Sequence, residues 1–261
     1  MLQKMTDQKQ FILVCGIPHG GTTIVRKLIG NIDGVYDHSQ EIDAIMQINP
    51  VPFLNKIKDT EHKAIVVKSP FTPQNITKYD NFKIVFVLKN PYDLYGSYRK
   101  RFKEESHYTH AYASRYGIDS YVALANIWLN IRHNNDTYPN IYTIKYEEMF
   151  ENDYAKVKDL VKWLGFEWND NIINSERVAG HQNWNNKPVP KVDNPDVLKN
   201  TGADNVPLRY WQINQPFQDM TGQSKHYIFK NTKDKLDKLP ILKSLDYNKY
   251  SDYEDCERDI K

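Results

Sequence analysis

The residues Gly16-Ile17-Pro18-His19-Gly20-Gly21-Thr22-Thr23 stand between a short apolar run, Phe11 to Cys15, and a helical pattern that begins at Ile24. Their glycines keep the G-x-x-x-x-G spacing of a loop that wraps phosphate. The chemistry is that of backbone amides. Glycines let successive N–H groups turn inward around phosphate oxygens. A helix opening at Thr22 adds the positive end of its dipole, and the hydroxyls of Thr22 and Thr23 add donors. A nucleoside triphosphatase loop carries Lys after its second glycine, and this chain has Thr22 there. That substitution removes the cation that reaches the outer phosphates and counts against a kinase or ATPase. Taken alone, the loop also fits an ordinary tight strand-to-helix turn.

Further basic and hydroxylic residues lie at the ends of apolar runs. Ala64 to Val67 ends in Lys68-Ser69-Pro70, and Lys83 to Leu88 ends in Lys89-Asn90-Pro91, with Asp93 and Ser97 beyond. Ile141 to Ile144 ends in Lys145-Tyr146-Glu147-Glu148. Short continuous apolar runs bounded by Gly, Pro or charge predict buried strands of a parallel sheet. Between them lie helical patterns: Ile24 to Ile29, with Ile24/Leu28 and Val25/Ile29 four apart, then Tyr121 to Trp128, then Tyr154 to Leu164. Trp128 and Trp163 fall on apolar helix faces and read as core. Strands alternating with helices predict an α/β fold, a mostly parallel central sheet flanked by helices. Such sheets hold ligands outside the carboxyl ends of their strands, so Gly16–Thr23, Lys68-Ser69 and Lys89–Ser97 converge on one crevice.

From Glu167 to Phe217 the chain is rich in Asn and Pro and has no clear period, a length unusual for a connector. It is expected to fold over the crevice as a loop-rich C-terminal cover. Within it, Gly180-His181-Gln182-Asn183-Trp184 and Leu208-Arg209-Tyr210-Trp211 offer an Arg for phosphate and Trp rings for stacking. The expected division is a flexible N-terminus over 1–10, a single domain over 11–246 and a charged, frayed tail over 247–261.

Composition narrows the function. Lys and Arg number 35 and Asp and Glu 33, a formal net charge of +2. That balance argues against a dedicated nucleic-acid binder while leaving room for a local anion site. Cys15 and Cys256 suggest neither a disulfide framework nor a zinc site. His107 and His110 lack a carboxylate or Cys at fitting spacing and read as solvated. The apolar run at Phe11–Cys15 is too short for a signal core or a membrane span, so a cytoplasmic protein is expected.

Four of these segments resemble the sulfotransferases that use 3′-phosphoadenosine 5′-phosphosulfate (PAPS). The loop Gly16–Thr23 resembles their 5′-phosphosulfate loop, Gly-x-Pro-Arg/Lys-Ser/Gly-Gly-Thr-Thr. Lys83–Ser97 is similar to their 3′-phosphate motif, a strand ending in Arg-x-Pro-x-Asp with a Ser on the next helix. Lys68-Ser69-Pro70 resembles the Lys-x-Pro segment of the bacterial and tyrosylprotein-type branches. Ile144-Lys145-Tyr146-Glu147-Glu148-Met149 resembles the Tyr-Glu-Asp-Leu segment, a structural landmark. The matches follow the family's order from Phe11 to Leu164. They depart from it at two places, where His19 and Lys89 replace a basic residue and an Arg.

The resemblance implies a P-loop NTPase-like sulfotransferase fold. It also implies PAPS as donor, adenosine 3′,5′-bisphosphate as product and no metal. The implied reaction moves a sulfuryl group to a hydroxyl or amine of a carbohydrate or small-molecule acceptor by in-line displacement. Donor binding falls to Pro18, His19, Gly20, Gly21, Thr22, Thr23, Lys89 and Ser97, and charge stabilisation to His19 and Lys68. Glu41 is the implied general base, with His38 second and Asp37 third. Two of these residues have plainer roles open to them. Glu41 fits the first turn of a helix starting near Ser39, and Ser97 fits a hydroxyl bonded to its own helix backbone. Two other functions stay open: a phosphoryl transferase on the same scaffold, and a relic that binds nucleotide without turnover. The sequence leaves the oligomeric state undefined.

Overall fold

The computed structural model describes residues 9–41, 61–69, 72, 76–78, 80, 82–102, 116–173 and 228–247. The apolar runs form parallel strands: β1 (Gln10–Gly16), β2 (Val35–Glu41), β3 (Ala64–Lys68), β4 (Lys83–Leu88) and β5 (Ile141–Lys145). Their order in the sheet is β2-β3-β1-β4-β5, every neighbouring pair parallel. Side chains alternate across a strand, and here both faces are covered. Leu13, Cys15, Ile65, Val67, Ile84, Phe86 and Leu88 enter one core, while Ile12, Val14, Ala64, Val66, Val85 and Val87 enter the other. A strand buried on both faces must be apolar at consecutive positions, which explains the unbroken runs.

The helices follow from the same logic. On one face, α1 (Thr22–Gly30) buries Val25, Leu28 and Ile29, and α4 (Ala155–Trp163) buries Val157, Leu160 and Val161. On the other lie α2 (Pro91–Phe102), with Leu94, Tyr95 and Tyr98, and α3 (Ile118–His133), with Tyr121, Ala125 and Trp128. Trp128 is fully buried and its indole N–H donates to Phe86 O at 3.0 Å. Trp163 is only partly buried, with Lys83 Nζ 4.3 Å from its ring centroid.

The chain then returns in two short helices, α5 (Lys230–Leu236) and α6 (Ile241–Ser244), which pack into the α2–α3 core. Neither was anticipated from the sequence. Tyr92 on α2 donates its hydroxyl to Asp237 Oδ1 at 2.6 Å. Tyr247, the first residue of the expected tail, is 2% exposed and hydrogen-bonded inside the fold. At the other end β1 begins at Gln10, one residue before the expected domain start. Of the expected cover, residues 167–173 are described and include a single 3₁₀ turn, Asp170–Ile173. The remainder of that segment lies outside the described residues, as do the stretches 180–184 and 208–211, His107, His110 and Cys256. Cys15 is buried, and burial pushes its thiol up to about 12, which leaves it unreactive. Among the described residues no helix is long and apolar enough to cross a membrane.

Candidate active site

Chain direction changes sides at β1. β3 lies to one side of it and β4 to the other, so the connections diverge and leave a crevice at the carboxyl end. The loop after β1 fills it. Gly20 N–H donates to Ile17 O at 2.9 Å and closes the turn. His19 takes a left-handed backbone, φ 64, and Gly21 does so at φ 91. Gly21 caps α1 and has no side chain to occupy the first amides of the helix. Ile24 and Val25 N–H turn back to Gly21 O, and the helix start that precedes them presents the positive end of the dipole. A Cβ on Gly21 would lie 2.4 Å from Tyr146 Cδ2, so the loop needs glycine there for space as well as for φ.

The loop is held from behind by α2. The Tyr98 hydroxyl donates to Pro18 O at 2.7 Å, and the His19 ring stands edge-on to Tyr98 with centroids 5.5 Å apart. Tyr98 is itself fixed by Tyr95 and Tyr116, at 5.3 and 5.2 Å. The same helix follows Lys89, so one rigid element braces both implied phosphate sites.

Lys68 ends β3 and is 5% exposed; its Nζ donates to Thr23 Oγ1 at 2.8 Å. Glu41 ends β2, and its backbone pairs in register with Lys68. The β2–β3 register shifts between Asp37 and Glu41. Glu41 therefore belongs to a strand end and not to a helix starting near Ser39. Its side chain lies outside the described residues. The two alternative bases are accounted for differently. Arg26 Nε lies 3.3 Å from Asp37 Oδ1, and Arg26 Nη1 donates to His38 O at 3.0 Å. Burial pushes the Asp37 carboxyl up, with Arg26 opposing it, and burial pushes the His38 imidazole down, with Arg26 adding to the effect. Asp37 is thus engaged in an ion pair beneath α1.

Lys89 ends the third of these loops, 8% exposed, with Nζ 4.5 Å from the Tyr146 ring centroid. Tyr146 packs against both Gly21 and Lys89, which ties the Gly16–Thr23 loop to the turn after β4. The turn at Lys89-Asn90 is bonded from all sides. Tyr121 donates its hydroxyl to Lys89 O at 3.1 Å, and Asn90 N–H donates to Glu147 Oε1 at 2.9 Å. Tyr92 N–H donates to Asn90 Oδ1 at 3.0 Å, which starts α2 at Pro91. Ser97 donates its hydroxyl to Asp93 O at 2.8 Å, four residues back in its own helix. In this state its proton is committed to the backbone; its oxygen lone pairs are not thereby consumed.

Pro18 to Thr23, Lys68 and Lys89 therefore converge at the carboxyl edge of β1, β3 and β4, with the Glu41 backbone at the same edge. Tyr98 was not singled out from the sequence, and Tyr146 and Glu147 entered it within a landmark segment rather than as site residues. Only Tyr146 and Glu147 carried a signal, their place directly after a strand end.

This geometry defines a class: an α/β fold with a glycine-rich loop after its first strand and two buried lysines flanking it. The sulfotransferase domain family matches residues 9–189, more than half of the chain. The chain belongs to that family and is a sulfotransferase. Among solved structures it is similar to mouse sulfotransferase SULT7A1 complexed with PAP. That match has 15% identity and a TM-score of 0.59, over 94% of this chain and 87% of that one. Retinol dehydratase in complex with androsterone and inactive cofactor PAP matches at 16% identity and TM-score 0.46, over 91% and 81%. A sulfotransferase from Alicyclobacillus acidocaldarius matches at 16% and 0.43, over 82% and 97%. The mouse structure supports the P-loop-like sulfotransferase fold assigned from the sequence. No curated protein matches the chain.

Proposed function

We propose that this sulfotransferase takes its sulfuryl group from PAPS and passes it to a hydroxyl or amine of a carbohydrate or small-molecule acceptor, releasing adenosine 3′,5′-bisphosphate. The observation that supports the donor is the placement of two basic groups at one edge of the sheet: Lys68, bonded to Thr23 of the Gly16–Thr23 loop, and the buried Lys89. A donor with phosphate at both its 5′ and 3′ ends fits such a pair. The solved mouse relative carries PAP.

In this reading the α1 amides and Thr22 and Thr23 hold the 5′ end, and Lys89 holds the 3′-phosphate. Lys89 supplies charge as a point, without the two-pronged geometry of Arg. Ser97 joins it by turning its hydroxyl away from Asp93 O. The bound donor supplies an electrophilic sulfur and a stable leaving phosphate. Negative charge grows on the bridging oxygen as the bond to sulfur breaks, and fixed donors aimed at such charge give the largest single effect in this kind of catalysis. Lys68 and the loop amides do this work. His19 assists as a hydrogen-bond donor held by Tyr98. Glu41, beside Lys68 in the sheet, accepts the acceptor's proton.

Calorimetric titration with adenosine 3′,5′-bisphosphate and with ATP, repeated on Lys89→Ala, tests the donor. Micromolar bisphosphate binding, weak ATP binding and a large loss in the variant are expected. A preference for magnesium-ATP would overturn the reading in favour of phosphoryl transfer. Bisphosphate binding with no sulfated product from a broad acceptor panel would leave a nucleotide-binding relic.

A further inference from the structure

Behind Lys89 sits a carboxyl that the reaction above does not use. Glu147 is 5% exposed. Asn90 N–H donates to Oε1 at 2.9 Å, and the Tyr247 hydroxyl donates to Oε2 at 3.2 Å. Asn90 is the residue after Lys89, and Tyr146, beneath the Lys89 ammonium, is the residue before Glu147. The acid therefore grips the same turn that presents the cation. Charges in such a water-poor region act on each other over several ångströms far more strongly than in water.

We propose that Glu147 is a positioning residue that couples uptake of a proton to the binding of an anion at Lys89. The proposal rests on the reading of Lys89 as the 3′-phosphate cation. With the crevice free of anion, Lys89 is the positive charge that helps Glu147 stay ionised. An arriving phosphate takes over that charge and brings negative charge of its own. A buried carboxylate that loses its counter-charge and gains a like neighbour is relieved by protonation.

The surroundings put this change in the right range. Burial pushes Glu147 up to about 7, with the Asn90 N–H and Lys89 pulling it down and Asp93 adding to the rise. The groups that face it come from each packed element: Lys89 from the β4–α2 turn, Asp93 from the first turn of α2, Tyr121 from α3, Tyr247 from the C-terminal segment, and Lys145 from the end of β5. Burial, with Glu147 close by, pushes both Tyr121 and Tyr247 well above their usual range, so neither phenol releases a proton near neutrality. The sign follows from linkage. A proton taken up on binding makes affinity highest at low pH and lowers it as pH rises past the free carboxyl's midpoint.

The ligand's own phosphate, with a second pKa of about 6, loses protons on meeting cations and masks the effect. A Glu147→Gln variant keeps that contribution and removes the carboxyl. Wild type and variant are titrated calorimetrically with adenosine 3′,5′-bisphosphate at about pH 6.5, 7.5 and 8.5, in buffers of different ionisation heat. At the middle pH, wild type is expected to take up roughly half a proton more than the variant. Across the range its affinity should fall about tenfold relative to the variant's. Equal proton uptake in the two proteins, or parallel pH profiles, overturns the coupling while leaving the donor site intact. Absence of bisphosphate binding by folded wild type at every pH sinks the donor reading and the coupling together.

Infrared difference spectra of wild type with labelled glutamate need no variant. Adding bisphosphate at about pH 8 should raise a protonated-carboxyl band, and its absence also overturns the proposal.

Discussion

Lys68 Nζ and Thr23 Oγ1 are 2.8 Å apart, a hydrogen bond that joins the end of β3 to the first turn of α1 across 45 residues of sequence. It places a buried ammonium against the loop that would hold the transferring group. Replacing Lys68 by Met keeps the length of the side chain and removes the charge. A loss of about 10²–10³-fold in kcat is expected, with bisphosphate affinity changed far less, because the charge matters most where negative charge develops. Steady-state kinetics set beside product binding separate the two. An equal loss in both would make Lys68 a ground-state contact.

Gly21 and Gly165 give a matched pair. Both have positive φ, 91 and 88, so alanine is strained at either. A Cβ on Gly165 meets nothing within 4 Å, whereas one on Gly21 meets the Tyr146 ring at 2.4 Å. Each substitution should cost about 1–2 kcal/mol of stability from backbone conformation alone. Only Gly21→Ala must displace Tyr146 and disturb Lys89. Thermal melts and bisphosphate titration of both variants are expected to show donor binding lost in Gly21→Ala alone.

Glu41 and His38 compete for the role of base. Glu41→Gln should lower kcat by roughly 10²–10⁴-fold with donor-product binding unchanged, the usual loss when a general base is removed. His38→Gln should retain most activity if Glu41, the strand-end residue paired in register with Lys68, is the base. The reverse pattern in kcat would transfer the role to His38.

Glu147 also leaves a mark on stability without ligand. Its carboxyl is raised from 4.5 to about 7 in the folded chain. The folded state therefore favours the protonated form. Its contribution is fully present below the unfolded value and is lost as pH rises through about 7. A shift of this size corresponds to on the order of 3 kcal/mol. Melting temperatures of wild type and Glu147→Gln, followed from about pH 5 to 8, should diverge, the wild type losing ground as pH rises, by roughly 2–4 °C for each kcal/mol. A constant gap between them would refute the buried-acid assignment.

Much of this was legible in the sequence because it rests on local pattern. Strands buried on both faces had to be unbroken apolar runs, and β1, β3 and β4 show themselves that way, while β5, half-buried at Tyr142 and Thr143, was marked by Ile141 and Ile144. β2 did not, because Val35-Tyr36-Asp37-His38-Ser39-Gln40-Glu41 is polar at most positions. It lies at the edge of the described sheet with a shifted register. The convergence of the Gly16 loop, Lys68 and Lys89 followed from the rule that parallel strands share a ligand edge. The second layer could not be read in advance. Tyr98 reaching Pro18, and Tyr247 reaching Glu147, are contacts over 80 and 100 residues that no local spacing encodes. Ser97 looked like a ligand donor by type, yet helix geometry offers its hydroxyl a carbonyl four residues back.

The bond from Tyr247 to Glu147 has a consequence for biosynthesis. The residues proposed to hold the phosphates of the donor all precede position 98, so a growing chain carries that proposed set early. The hydroxyl that holds Glu147 arrives 100 residues after Glu147 itself. A product cut short before Tyr247 would keep the residues proposed to hold the donor and lack the hydroxyl that bonds Glu147, the acid gripping the turn after Lys89. Nucleotide affinity would then act as a readout of whether translation had reached the C-terminal segment.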